Sequence, residues 1–407
     1  MSIMFISTTL VLLVLPLYYL YLRASYRSKH SAVLPTNWPI LYMFPTFMAN
    51  LRNLHDYFTL VLAGSGHNFR AHGPPGTGMR FFVTCDPANV HHIFTTNYSN
   101  FPKGVEFAAI FDILGGSLFT IDGEPCHRQR AKVNGVLNSS RMVVSIARSC
   151  LDKPLFGVDS GLLSLDIPHM DAVAAMDTVM DVGFFRHMMP TSCWKLMRWL
   201  NIGPERKLST AHMVLRRFVV EMIERRKIST CSVGNNREQE GVDIMSSFLN
   251  DPDYSDGDLL HAMSIGYFLA ATDTIAPFER KTAAADDIMP SGHEVHTGDT
   301  IFISLYSMGR MEEVWGKDCL DYKPDRWLTE DGNDLRYVPS HKFLAFNSGP
   351  RMCLGKDIAV MKMRTVITAV LWNFDVQVLE GQSIRPKLSS VLKMKNGLIV
   401  KLKKRQM

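Results

Sequence analysis

No two cysteines of this 407-residue chain stand three apart, although there are seven: Cys85, Cys126, Cys150, Cys193, Cys231, Cys319 and Cys353. Without a C-x-x-C pair there is no zinc knuckle or ribbon. An odd, scattered set in a chain this long is not a disulfide framework, and it fits a reducing compartment. Charge is scarce too: 44 Lys and Arg against 39 Asp and Glu leave a net +5, and charged residues make up 20% of the whole. So small an excess argues against a nucleic-acid binder. The short basic clusters at 225–227 and 401–405 sit at the ends of apolar segments, where a helix or strand meets solvent. Internal repeats and low-complexity tracts are missing. With 46% hydrophobic residues the bulk is globular, and one large domain suits the length.

One long apolar run is present. Residues 3–22 carry no charge, and twenty residues at a helical rise of about 1.5 Å span about 30 Å, the hydrocarbon thickness of a bilayer. Residues 1–4 hold no basic side chain, which a cleaved signal would need. The positive charges come afterwards, at Arg23, Arg27 and Lys29. The positive-inside rule keeps that flank cytosolic, so the run is expected to be a single-pass anchor with the remaining chain in the cytosol. Tyr18, Tyr19 and Tyr21 would stand at the interface. Pro35 and Pro39 then make a stiff hinge. The expected organisation is an anchor and basic flank over 1–29 and one domain over 30–407.

Beyond the hinge, helices mix with short strands. Met79 to Cys85 reads as a strand that stops at Asp86-Pro87, an N-cap and N1 pair opening a helix through Ile93. Leu215, Phe218, Val219 and Met222 fall at i, i+3, i+4 and i+7, one face of a helix from Pro204 to Lys227. Ser229 to Gly241 reads as a surface loop. A further helix is expected from Asp258 through Thr274, a strand from Thr300 to Tyr306, and a helix from Ile358 to Trp372. Asn396-Gly397 between two β-patterned runs predicts a hairpin of 391–395 with 398–403. The fold class is mainly α with small β-sheets.

Chemistry concentrates in Phe346-Asn347-Ser348-Gly349-Pro350-Arg351-Met352-Cys353-Leu354-Gly355, an F-x-x-G-x-R-x-C-x-G segment directly before a helix. It resembles the heme-binding loop of the cytochrome P450 superfamily, the heme-thiolate monooxygenases. The physical reading agrees. A cysteine thiolate pushes electron density onto heme iron, which favours O–O cleavage. A helix N-terminus behind the loop favours the thiolate. Gly349 and Gly355 let backbone pass close to a flat porphyrin, Arg351 can pair a propionate, and Phe346 can shield the sulfur. The resemblance implies Cys353 as the iron ligand.

Three more segments carry the likeness. Ala270-Ala271-Thr272-Asp273-Thr274 is similar to the family's A-G-x-D-T oxygen-activation motif, with Ala271 where glycine is commoner. The resemblance implies proton delivery by Thr274 and Asp273, an alcohol beside a carboxylate. In Glu124-Pro125-Cys126-His127-Arg128-Gln129-Arg130 the family's W-x-x-x-R keeps only the arginine. Arg130 would reach a propionate, and Cys126, at the tryptophan position, reads as core. Lys323-Pro324-Asp325-Arg326-Trp327 matches the P-x-R-F/W segment, whose arginine pairs in the family with an E-x-x-R helix. That helix is missing here: no glutamate has an arginine three residues on. Arg326 is therefore expected to lack its partner. The spacing from Thr274 to the turn at Met289-Pro290-Ser291-Gly292 cannot hold two further helices of about 11–12 residues each. The domain is expected to be shortened after about 150 and after about 276.

Within the superfamily, Phe101-Pro102-Lys103-Gly104, Phe156-Gly157-Val158-Asp159 and Phe343-Leu344-Ala345-Phe346-Asn347 look like the plant clan of fatty-acid omega-hydroxylases and midchain alkane hydroxylases. The likeness implies heme, an NADPH-dependent flavoprotein reductase, an endoplasmic reticulum membrane and an apolar long-chain substrate. Phe107, Phe111, Phe268 and Ala270 would line its channel; the plainer reading of the phenylalanines is core. A second function class stays open, a membrane-anchored remnant or splice form without catalysis. A peroxide-rearranging heme enzyme is disfavoured by the Asp-Thr pair.

Overall fold

The computed structural model describes residues 34–38, 40–139, 142, 171–232, 243–249, 251–252, 257–272 and 275–405. The apolar run 3–22 lies outside these. Among the described residues no helix is long and apolar enough to cross a membrane.

The main sheet draws its strands from both ends of the chain. β1 (Asn68–His72) and β2 (Arg80–Thr84) come early, and β3 (Glu279–Thr282) and β6 (Thr300–Ile303) late. They lie in the order β1-β2-β6-β3. β2 runs parallel to β6, with Phe82 opposite Ile301, and antiparallel β3 sets Lys281 opposite Ile301. The small ribbon of β4 (Asp287–Ile288) and β5 (Glu294–Val295) fills the connection. Phe82, Val83, Ile301 and Ile303 are buried with Val90, Ile93, Phe94 and Phe101 in one apolar cluster. Each such side chain contributes about 1.5–3 kcal/mol.

Among the described residues the helices used below are α1 (Leu54–Gly64), α2 (Pro87–His91), α3 (Gly104–Ile110), α4 (Gly123–Leu137), α5 (Asp171–Met188), α6 (Gly203–Ser232), α7 (Gly257–Thr272) and α8 (Lys356–Asn373), and further helices such as Thr191–Trp199 lie between them. Asp86 caps α2 as its sequence predicts, its carboxylate accepting from the Ala88 amide at 2.8 Å. The predicted stripe of α6 is buried at Leu215, Val219 and Met222, against Met176, Val179 and Met180 of α5 and Met263 and Ile265 of α7. α7 is apolar almost all round, so it runs through the centre. A fully buried Arg186 ties this bundle: its guanidinium meets the Glu205 carboxylate twice, at 2.8 and 2.6 Å, and donates to the Ile110 carbonyl at 2.8 Å.

Three expectations need correction. The strand from Thr300 ends at Ile303, because the Ser304 hydroxyl accepts from the Ser307 amide at 3.2 Å and starts the short helix Leu305–Met308. The helix expected to stop near Lys227 runs on to Ser232, and 233–242 lie outside the described residues. The Asn396-Gly397 turn forms, but its two arms do not pair with each other. The preceding arm bonds to 385–387, and the following one, β8 (Val400–Lys404), pairs with β7 (Phe374–Val378). An apolar alternation in β7 supplies a longer ladder than the arm across the turn does.

Candidate functional site

The Cys353 loop joins the two cores. Leu344 before it is buried with the sheet, while Leu354, Ile358 and Met361 after it rest on the helical cluster. The loop turns tightly: the Cys353 amide donates to the Phe346 carbonyl at 2.8 Å, and the Met352 amide to Gly349 at 3.0 Å. Gly349 has φ +59°, and a Cβ there would lie 2.0 Å from the Phe94 carbonyl oxygen, so only glycine fits. Cys353 itself is solvent-exposed. A Cβ on Gly355 would make an ordinary contact, 3.9 Å from the Cys353 sulfur.

Arg130 and Arg351 both come to this loop. Arg130, from α4, donates to the Met352 carbonyl. Arg351 is buried and donates to the Leu118 carbonyl at 3.0 Å, the Tyr98 hydroxyl at 3.2 Å, the Ile121 carbonyl and the Asp122 carboxylate. Four of its five N–H groups are thus used, leaving one on Nη1. Burial alone would raise the Asp122 carboxyl, but the Gly104 and Lys103 amides and Arg351 hold it below the ordinary value. Cys126, as expected, fills core, with its sulfur against the Leu118 carbonyl.

The sequence missed Lys281. In β3 it stands within Glu279-Arg280-Lys281, which reads as a solvated charge run. Its side chain is 0% exposed, its ammonium has no hydrogen-bond partner among the described residues, and the Glu279 carboxylate is 3.7 Å away as an ion-pair partner. The Phe94 ring lies 5.0 Å from Nζ. Burial, with Lys103 and Arg351 adding repulsion against the pull of Glu279, brings its pKa down to about 8. The only carboxylate near it among the described residues is held beyond hydrogen-bond reach, so the buried ammonium keeps donors that a further anion could take. With the arginines beside the thiol loop it makes a cationic edge that would suit the propionates of a heme.

The other expected residues fall in separate places. Phe107 and Phe111 pack tilted, 5.1 Å between centroids, and share His187, at 6.0 and 5.7 Å. Phe278 and Phe302 close the far side of that imidazole. Phe268 packs instead on Phe218 of α6, at 5.2 Å. Ala270 is partly buried near the end of α7. Asp273 and Thr274 lie outside the described residues. Arg326 corrects the expectation of an unpartnered cation: it donates to the Trp315, Asp318 and Asp321 carbonyls at 3.3, 2.6 and 3.1 Å, with the Asp318 carboxylate 3.5 Å away.

A helical fold with small sheets, a cysteine loop before a helix and cations converging beside it define a heme-dependent monooxygenase. The cytochrome P450 family model matches residues 274–402. The chain is 28% identical over 484 residues to noroxomaritidine synthase 1 of Narcissus pseudonarcissus, covering 94% of this chain and 93% of that protein. It is 29% identical over 465 residues to alkane hydroxylase MAH1 of Arabidopsis thaliana, covering 91% and 93%. Cytochrome P450 86B1 of the same plant is 28% identical over 489 residues, covering 92% and 86%. The chain is similar to members of the cytochrome P450 superfamily over most of its length. Because 94% of 407 residues is about 383, about 100 of the 484 positions aligned with noroxomaritidine synthase 1 have no residue here.

The uncovered state of α8 accords with that shortfall. None of its 18 residues is buried, and Val366, Ile367, Leu371 and Trp372 are all more than half exposed. An apolar helix of this kind normally lies inside a fold.

Proposed function

We propose that this chain is built to insert one oxygen atom from O₂ into a C–H bond of a long-chain fatty acid or alkane. The reading is carried by the Cys353 loop together with Arg130, Arg351 and Lys281. The likeness to alkane hydroxylase MAH1 supports the substrate class. Bound heme supplies the reductive activation of O₂, with electrons delivered from NADPH by a flavoprotein reductase. The Cys353 thiolate would hold the heme iron, and electron density from a thiolate would favour O–O cleavage. Cys353 is exposed in the heme-free chain, so Phe346 would shield its sulfur only once heme is seated, and Arg130, Arg351 and Lys281 would hold the propionates. Asp273 and Thr274 pass protons from solvent. The uncharged run 3–22 anchors the chain in the endoplasmic reticulum membrane with the domain cytosolic, so the protein stays in the pellet after a carbonate wash. The test of function is a carbon-monoxide difference spectrum of the reduced protein, followed by mass spectrometry of products from a fatty acid and an alkane with reductase present. A thiolate-type spectrum with no hydroxylated product from either would reject the substrate class.

A second reading has its own support, a shortened form with little catalysis. Cys353 is exposed and α8 is uncovered. Helices missing around α7 would leave Thr274 loosely held, and a proton relay tolerates little misplacement. Expressing the chain beside a variant with the absent segments restored from a full-length relative separates the two. The shortened chain is expected to hold less heme and turn over more slowly; equal heme content and turnover would sink this reading.

A further inference from the structure

Directly after α2 the chain winds a single π turn, His92–Thr96, in which the Asn97 amide donates to the His92 carbonyl five residues back at 2.9 Å. Such turns are rare and recur at functional sites. Phe94, at its centre and fully buried, touches both parts of the cationic site. Its carbonyl oxygen fills the space of a Cβ on Gly349, which leaves the Cys353 loop no slack on that side. Its ring faces Lys281 Nζ, 5.0 Å from the centroid. One carboxylate holds the turn from outside. Asp287 Oδ2 meets His92 Nε2 at 2.8 Å and accepts from Asn97 Nδ2 at 2.9 Å, so it binds both ends. The Ile288 amide, 2.8 Å from Oδ1, fixes the carboxylate itself. Burial would raise this carboxyl, but its bonds from His92, Asn97 and the Ile288 amide hold it below the ordinary value. An ionised carboxylate only accepts, so His92 Nε2 carries the proton. The connection from Lys281 to Asp287 is zipped to the chain beyond the π turn. The Thr282 and Ala284 amides donate to the Pro102 and Asn100 carbonyls, each at 2.9 Å, and the Ala285 amide to Asn100 Oδ1 at 2.7 Å.

We propose that Asp287 is a positioning residue for this site: by holding both ends of the π turn it sets Phe94, and through Phe94 the Cys353 loop and the Lys281 ammonium together. The proposal rests on the heme reading above and adds to it the device that aligns the thiol loop with its cationic edge. Among the described residues Asp287 makes no hydrogen bond or ion pair with Cys353, Arg130, Arg351 or Lys281, so it acts through the turn. Loss of both bonds frees the turn to take the α register, which moves the Phe94 carbonyl off Gly349 and its ring off Lys281. A close-packed contact transmits such a shift rather than absorbing it. A carboxylate that merely braced the β4–β5 ribbon would change stability everywhere and these two places no more than others.

The experiment compares the full chain with Asp287→Ala and Asp287→Asn, first without heme. Asparagine keeps an oxygen for His92 and Asn97, and alanine keeps none. In the alanine variant, hydrogen exchange of the Asn97, Met352 and Cys353 amides is expected to quicken about tenfold or more. Acetylation of Lys281 by acetic anhydride, read by peptide mass spectrometry, should quicken by a similar factor. The asparagine variant should stay within about threefold of the parent in both. Unchanged exchange in α6 shows that the variants fold. Faster exchange at Asn97 with the Cys353 loop and Lys281 unchanged would overturn the proposal. So would a uniform rise that includes α6, which would make Asp287 a general stabiliser. Hemin titration then reads the consequence. Affinity should fall about tenfold or more with alanine and return with asparagine. The loss should shrink in a Lys281→Met background, where no ammonium is left to place, and full additivity there would count against the route through Lys281. A parent chain that takes no hemin would sink the heme reading, while the heme-free rates would still decide whether Asp287 sets the loop and the lysine.

Discussion

Replacing Lys281 by Met should make the heme-free protein more stable and its hold on heme weaker. At neutral pH the ammonium is charged in both folded and unfolded chains, but only the folded chain buries it. A pKa of about 8 against the ordinary 10.5 corresponds to a penalty of about 3 kcal/mol at pH 7, since one unit is worth about 1.4 kcal/mol. The sign follows from proton binding. Between pH 8 and 10.5 the unfolded chain holds the proton more tightly, so stability rises with pH there as the penalty is relieved. Methionine fills similar space with no charge, so the apo-protein should gain about 1–3 kcal/mol and lose that alkaline rise. Heme should respond in the opposite direction. A charge-assisted bond from Lys281 to a propionate contributes about 1.5–3 kcal/mol, a factor of about 10 to 150 in affinity. Urea denaturation of the apo-protein at several pH values and a hemin titration followed at the Soret band measure both. A variant less stable without heme, or one that binds hemin as tightly as the parent, would refute the assignment of this lysine to the propionate edge.

Three further outcomes are expected. Cys353→Ala should abolish any thiolate-type heme spectrum, whereas Cys85→Ala and Cys319→Ala should leave it intact; a surviving thiolate signature without Cys353 would move the ligand elsewhere. Glu205→Ala leaves the buried Arg186 without its bidentate carboxylate, at a cost of about 3–5 kcal/mol, read as a lower urea midpoint; Glu205→Gln should cost less, and a midpoint within experimental error of the parent's for the alanine variant would show that other acceptors suffice. Burial brings His55 down to about 4, against the pull of Asp56, and holds His187 well below 6.5, with Arg280 adding to the effect. Below pH 6.5 the unfolded chain protonates these imidazoles and the folded one does not, so stability should fall by about 1.4 kcal/mol per pH unit for each; a midpoint that stays flat from pH 7 to 5 would contradict their burial as neutral groups.

Local chemistry was legible where the chain supplies its own partner. The Asp86-Pro87 cap, the stripe of α6 and the turn of the Cys353 loop depend on residues within a few positions of one another, and each stands where its pattern put it. Legibility failed where the partner is remote or unusual. The arm after Asn396-Gly397 found β7, more than twenty residues back, because pairing is decided by whole strand faces rather than by the turn. Arg326 was expected to be stranded, but three carbonyls of the turns at 315–321 take its donors, and backbone acceptors leave no mark in a side-chain motif. Lys281 was hidden for the reverse reason. A charge run looks solvated until β3 is known to be the strand beside β6, with its lysine turned under Phe94.

The parallel pairing of β2 with β6 closes a loop of about 220 residues, from Phe81 to Thr300. Closure entropy grows only as the logarithm of length, so the loss of about 100 positions from inside such a loop would change its cost by about 0.3 kcal/mol, in favour of the shorter chain. The strand that delivers Lys281 is therefore nearly indifferent to how much chain lies between its neighbours. Insertions and losses between the two halves of this sheet are felt through the surfaces they cover or bare, and hardly at all through the tether. A protein fastened in this way would tolerate a shorter connection and still bring its cationic edge and its cysteine loop together.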